Sequence, residues 1–214
     1  MKEKFLTNKE ELNTGAKILI AAKEEFFEKG FMGASVRSIA NRAGLTTGAI
    51  YNLFKNKNGI FKALIQNVFE AMMKSLTHNP PPSEIEYNMK TSDLSVIIEV
   101  SRKRFLYMID FFFENRDEMK LLVCCARGSS YEYMFDEAVK VMEKETIRWL
   151  EYDGVKITKR VKFFIHVMAS SHFENLKEIF YHDLTKKEAI DYAMDFNTYH
   201  CAGWKYYWME QVNS

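Results

Sequence analysis

Residues 35–54, SVRSIANRAGLTTGAIYNLF, decide the fold. Val36, Ile39, Ala40 and Ala43 fall at i, i+3, i+4 and i+7, one face of a helix. Ser35 stands before them as an N-cap. Gly44 follows, able to take the positive φ that a sharp helix end needs. Leu45 fills the corner, and Thr46 or Thr47 caps a second helix whose Ala49, Ile50, Leu53 and Phe54 face inward. A side chain larger than Ala40 would push the two helices apart. The pattern predicts a helix-turn-helix, whose second helix enters the DNA major groove.

Charge around this stretch points the same way. From Gly30 through Phe69 there is no acidic residue, while Arg37, Arg42, Lys55, Lys57 and Lys62 are basic. The outward positions of the second helix, Thr46, Thr47, Gly48, Tyr51 and Asn52, are small or hydrogen-bonding. A solvent-facing helix mixes Glu with Lys, whereas carboxylates beside phosphates are repelled. Residues 1–57 carry ten Lys/Arg against six Asp/Glu, a net +4, so the remaining residues carry −3 of the chain's overall +1. A basic head on a mildly acidic body suits a nucleic-acid binder with a second task.

The 214 residues, 47% apolar and 14% aromatic, can bury one large core or two small ones. Cys124, Cys125 and Cys201 lack metal-ligand spacing and are odd in number, which suits a reducing cytosol, so a cytoplasmic protein is expected. The first residues, MKEKFLTNKEEL, are too charged for a secretory signal, and no apolar run reaches eighteen residues.

Period-two alternation is absent and all three prolines fall at residues 80–82, so the chain reads as all-α. A first helix opens at Thr7 or Asn8, with Thr7 and Glu10 as a capping box, and turns Leu12, Ala16, Leu19, Ile20, Phe26 and Phe27 inward. It stops at Lys29-Gly30. A fourth helix runs over about 58–76, long enough to leave the head and enter the body. Residues 77–92 form a proline-broken connection, with a short helix around 85–89. Further helices cover about 92–112, 117–126, 129–152 and 158–182. Thr185 and Glu188 form a capping box for a last helix reaching about residue 212. The expected division is 1–57 for DNA binding and 58–214 for a helical ligand-sensing and dimerisation domain.

In the body, Phe105, Met108, Phe112, Tyr131, Phe135, Phe164, Met168 and His172 lie on inward stripes of separate helices. Ordinary core packing accounts for any one of them. Together, the excess of rings and thioethers suits an adaptable apolar cavity for a small apolar or aromatic ligand. Phe173, Leu176, Phe180, Tyr192, Phe196 and Tyr199 make the last two helices apolar on more than one face, which suggests a subunit interface. The five histidines show no i, i+4 pairing, so no metal or other cofactor is expected. No nucleophile elbow, phosphate loop or carboxylate pair stands out, so no catalytic residues are assigned and an enzyme is not expected.

Residues 14–62 resemble the DNA-binding domain of the TetR/AcrR family of bacterial transcriptional regulators. Ile18, Ala21, Ala22, Phe26, Gly30, Ser35, Val36, Ile39, Ala40, Ala43, Gly44, Gly48, Ile50, Tyr51, Phe54, Lys57 and Phe61 carry the resemblance. It implies a homodimer, a double-stranded DNA operator with two-fold symmetry and a C-terminal domain that senses a small molecule. Thr46, Thr47, Gly48 and Tyr51 correspond to groove-facing residues, and Asn52 falls where relatives often have His or Arg. Asparagine can also pair bidentately with adenine. Ser35 and Arg37 correspond to phosphate contacts and Tyr51 with Lys57 to a phosphate clamp, to which the basic stretch adds Lys55. Asn58-Gly59 departs from the acidic and small residues often found there, which predicts a less firmly capped fourth helix.

The reading is therefore a ligand-responsive regulator, a repressor released from its operator. Competing with it are a DNA-binding architectural or partner-recruiting protein without small-molecule sensing, and an enzyme carrying a vestigial head.

Overall fold

The structure, a computed structural model, describes residues 13–77 and 92–210. The described residues contain helices and no strands: α1 (Thr14–Gly33), α2 (Val36–Ala43), α3 (Thr47–Phe54), α4 (Lys57–Thr77), α5 (Leu94–Glu114), α6 (Arg116–Lys120), a π-helical turn (Leu121–Cys125), α7 (Met134–Tyr152), α8 (Lys159–Tyr181) and α9 (Lys186–Glu210). The all-α architecture with an N-terminal helix-turn-helix is as expected. The capping box at Thr7 and Glu10, the short helix near 85–89 and the end of the last helix lie outside the described residues.

The described residues fold as two compact units: 13–69 with 120–132, and 70–77 and 92–119 with 133–210. Helix α4 contributes its first part to one and its last part to the other. In the first unit, α1 begins later than expected. Asn13 is extended (φ −60°, ψ 159°) and its Oδ1 accepts from the Ala16 N–H at 2.8 Å, so the helix starts at Thr14. Regular helix stops at Gly30, whose φ of +65° breaks it before a last short turn.

The buried face of α1 is Ile18, Ala21, Ala22, Glu25 and Phe26. That corrects the inward stripe read from periodicity, because Ile20 and Phe27 are exposed. Two overlapping apolar stripes run along this helix, and packing against α2 and α3 selects one. Phe26, Phe31 and Phe61 form an aromatic triangle with centroids 5.1–5.8 Å apart. Edge-to-face geometry at such distances adds about 0.5–1.5 kcal/mol per pair beyond burial. Ile18, Ile39, Ile50, Ile60 and Ile65 complete this core, each fully buried.

Residues 120–132 also belong to this unit. The π-helical turn packs on α1, burying Leu121, Leu122 and Cys125. Gly128, at φ +85°, lies so close to Met32 that an added Cβ would stand 2.6 Å from its Cγ. Here α7 starts at Met134 rather than near 129, since Gly128 and the turns after it break the helix.

In the second unit α5 packs on α9 and α7 on α8. Leu150, Val155, Val161, Ile165 and Trp208 form one buried cluster. Thr158 caps α8 by accepting from the Val161 N–H at 3.2 Å. The Thr185 N–H donates to Glu188 Oε2 at 2.8 Å and the Glu188 N–H donates back to Thr185 Oγ1 at 3.3 Å, so the expected capping box forms. No helix among the described residues is long and apolar enough to cross a membrane.

Candidate nucleic-acid interface

Helices α2 and α3 are joined by a tight turn centred on Gly44 (φ +67°, ψ 33°). The Leu45 N–H donates to the Ala40 carbonyl at 2.9 Å and the Gly44 N–H to that of Asn41 at 3.2 Å. This is the Schellman closure of α2, and the left-handed φ at its hinge favours glycine. Ser35 caps α2 through the Ser38 N–H (3.0 Å) and Thr46, not Thr47, caps α3 through the Ala49 N–H (3.2 Å). Each cap contributes about 1 kcal/mol. Each hydroxyl accepts in its cap, which leaves its own proton able to donate to a phosphate.

Ser35, Arg37, Thr46, Thr47, Gly48, Tyr51, Asn52 and Lys55 are all exposed, on or beside the helix-turn-helix. Ile50 is fully buried beneath α3. Leu53 corrects the sequence reading: it is 53% exposed rather than inward. Lys55 adopts φ +66° and ψ −42° at the end of α3, backbone that L-residues rarely take.

Two of the five basic residues are spent within the chain. The Lys57 ammonium donates to the Phe31 carbonyl at 2.6 Å, to that of Ala34 at 2.8 Å and to that of Met32 at 3.4 Å. It also stands 4.5 Å from the Phe31 ring centroid. Its position is that of a tie between α4 and the end of α1, and burial lowers its pKa. Arg42 is bidentate to Glu28 (2.9 and 2.7 Å) and reaches Glu24 at 3.2 Å and Glu25 at 3.4 Å. The acid-free run along the sequence is thus not acid-free in space, because α1 brings three carboxylates to α2.

Glu25 is fully buried and accepts from Lys29 Nζ and from Ser38 Oγ, each at 2.8 Å. Burial acts to raise its pKa, but the hydrogen bonds from Lys29 and Ser38 and the lysine's charge outweigh that and hold it below the ordinary 4.5. The carboxylate thereby fastens α2 to α1.

The fourth helix is well anchored, against expectation. Asn56 Oδ1 accepts from the Gly59 N–H at 2.8 Å. Gly59 admits no side chain, since a Cβ would lie 1.9 Å from the Phe54 carbonyl oxygen. Asn58 Nδ2 donates to Ser130 Oγ and Asn58 Oδ1 accepts from the Ser130 N–H, both at 2.9 Å. Tyr131 packs on Phe61 and Phe69 at 6.4 and 5.3 Å between centroids. Neither the Asn58–Ser130 pair nor the tie at Lys57 had a signal in the sequence.

The other expected groups fall as follows. Tyr131 belongs to the first unit, apart from the remaining seven residues expected to line a ligand site. Phe105 meets His172, and Phe112 meets Phe180. Phe135 meets Phe173 at a tilt, and Phe164 lies against Trp204 and Tyr207. Met108 and Met168 are half-buried. Of the residues expected at a subunit interface, Phe173, Leu176 and Phe180 are buried inside the chain itself and offer little area to a second copy. Tyr192 and Phe196 are half-buried, the Tyr192 hydroxyl donating to Asn175 Oδ1 at 3.0 Å. Tyr199 is 78% exposed.

The model of the tetR family of bacterial regulatory proteins matches residues 18–64, the span that builds this surface. An HTH-type transcriptional regulator of Bacillus subtilis, YdgC, is 28% identical over 148 residues, covering 69% of this chain and 67% of its own. A Clostridium perfringens structure provisionally assigned as a fatty acid metabolism regulator superposes with a TM-score of 0.57 at 21% identity, over 85% of this chain and 96% of its own. The SmeT–triclosan complex gives 0.55 at 20% identity, over 87% and 90%. The helix-turn-helix geometry and the family model agree, and the fold is shared along most of the chain: residues 18–64 are a DNA-binding domain of the tetR family of bacterial regulatory proteins.

Proposed function

We propose that the protein is a cytoplasmic, homodimeric repressor that leaves a two-fold symmetric DNA operator when a small, largely apolar or aromatic ligand binds residues 58–214. The observation that carries the DNA half is the carboxylate-free exposed face of α3, with Thr46, Thr47, Gly48, Tyr51 and Asn52, flanked by Arg37 and Lys55. Those side chains can donate to phosphates or read base edges, with Asn52 suited to adenine. Lys57 acts in this reading by holding α4 against α1, so that Tyr51 and Lys55 meet the phosphates.

Dimerisation draws on α8 and α9. Phe163 is 68% exposed, Val167 39%, Tyr199 78% and Tyr206 65%, apolar side chains of α8 and α9 that a second copy would bury. Two recognition helices about 34 Å apart would then meet successive turns of the duplex. The ligand side rests on the half-buried rings and thioethers of α5, α7 and α8. Ligand lowers operator affinity only by its differential binding to the two conformations. Residues 120–132 fold with the DNA-binding helices while their neighbours in sequence fold in the second unit, so they offer, beside α4 itself, a chain connection through which a shift in the second unit would be passed on.

Affinity for DNA upstream of the protein's own gene, measured at two salt concentrations, tests the DNA half. Sequence preference and a steep salt slope are expected, and the absence of either sinks it. Phe163→Glu should give a monomer with weakened operator binding. An unchanged dimer would place the interface elsewhere.

A further inference from the structure

Three helices of the second unit bring two histidines into one aromatic surround. His172 of α8 lies 5.8 Å between centroids from Phe105 of α5, and 6.0 Å from Phe196 and 6.1 Å from His200, both of α9. His200 in turn meets Phe196 at 5.4 Å and Trp204 at 5.8 Å. Both imidazoles lie against aromatic rings. Neither makes a hydrogen bond or ion pair among the described residues, and neither is closed off, since both are half-buried.

We propose that His172 and His200 are the polar recognition pair for an uncharged, hydroxylated aromatic effector. This rests on the reading of the second unit as a small-molecule sensor. A neutral imidazole carries one N–H donor and one acceptor nitrogen. A ring hydroxyl needs both, giving its proton to one histidine and accepting from the other. Phe105, Phe196 and Trp204 supply faces and edges for the ligand's ring. No third His, Cys, Asp or Glu among the described residues joins the pair into a metal-binding group. Burial pushes His172 down to about 3, helped by the neighbouring imidazole, and His200 down to about 4. Both are therefore neutral at pH 7 and give a carboxylate no compensating charge, so an anion of the same shape is disfavoured.

Three probes test this on the full-length protein: 2-naphthol, naphthalene and 2-naphthoate, with affinity read by calorimetry and operator release read in parallel. The naphthol should bind at least tenfold tighter than either of the others, and His172→Phe or His200→Phe should abolish that preference while keeping naphthalene binding. As a check independent of the variants' folding, the imidazole 15N shifts of the unaltered protein should move with naphthol and not with naphthalene. Equal binding of naphthol and naphthalene, or preference for naphthoate, overturns the proposal but leaves the sensor reading standing. Failure of all three probes to bind a protein that still holds DNA overturns both.

Discussion

Replacing Lys57 with methionine separates two roles that one lysine could have. The side chain keeps its length and loses the ammonium that donates to the Phe31, Ala34 and Met32 carbonyls. The two short bonds are charge-assisted, of a kind that contributes about 1.5–3 kcal/mol each. The contact with the Phe31 ring adds about 0.5–1 kcal/mol. Such terms are not additive, and water will reach part of the vacated site, so we expect a loss of about 3 kcal/mol from the first unit. With an m-value of roughly 1.5 kcal/mol/M in urea, that lowers its midpoint by about 2 M. The assay is built into the chain: Trp149, Trp204 and Trp208 all lie in the second unit. Tryptophan fluorescence should therefore change little while circular dichroism shows an early transition. Below that transition, the salt slope of operator binding should match the unaltered protein. A stability change under about 0.5 kcal/mol, together with a salt slope shallower by about 0.9 per phosphate no longer neutralised, would refute the reasoning and return Lys57 to the clamp.

Other substitutions probe neighbouring features. Lys55→Gly relieves positive-φ backbone that costs of order 1 kcal/mol, so stability should hold or rise while operator affinity and salt slope fall; thermal melts and DNA titration would expose the opposite pairing. Asn58→Ala removes both hydrogen bonds to Ser130 and should cost about 1–2 kcal/mol by chemical denaturation. It should also blunt ligand-induced release if residues 120–132 carry the signal, and unaltered release would argue against that route. The Glu25 carboxylate, held below the ordinary 4.5, stabilises the fold above that pH, and the contribution is lost as pH falls through its lowered pKa. Acid unfolding of Glu25→Gln between about pH 5 and 3 should be shallower than that of the unaltered protein; parallel curves would show that Glu25 contributes nothing.

Parts of the fold were legible because their cause is local. Ser35, Gly44 and the Thr185–Glu188 pair cap or close helices through bonds spanning three to five residues, so nearby letters suffice. The face of α3 was legible for the same reason, since its composition is set by what it must not repel. Leu53 and Ile20 were misplaced because apolar residues adjacent in a short helix fit more than one inward stripe, and only a packing partner chooses. Phe173, Leu176 and Phe180 were expected to meet a second subunit, yet the chain's own helices bury them. Burial inside one chain and burial between two leave the same mark on composition.

What the sequence determined by itself is the all-α class and the helix-turn-helix with its Gly44 turn, consequences of short-range hydrogen bonding and helical periodicity. What only the tertiary structure decided is which charges remain available and which segments share a core. Arg42 and Lys57 look as basic as Arg37 and Lys55 in the sequence, but carboxylates 14–18 residues away and carbonyls 23–26 residues away occupy them. Residues 120–132 fold beside α1 through packing at Leu121, Leu122 and Gly128 and through the Asn58–Ser130 pair, 72 residues apart. A side chain's chemistry is written at its own position; the partner that spends it is set by the path of the whole chain.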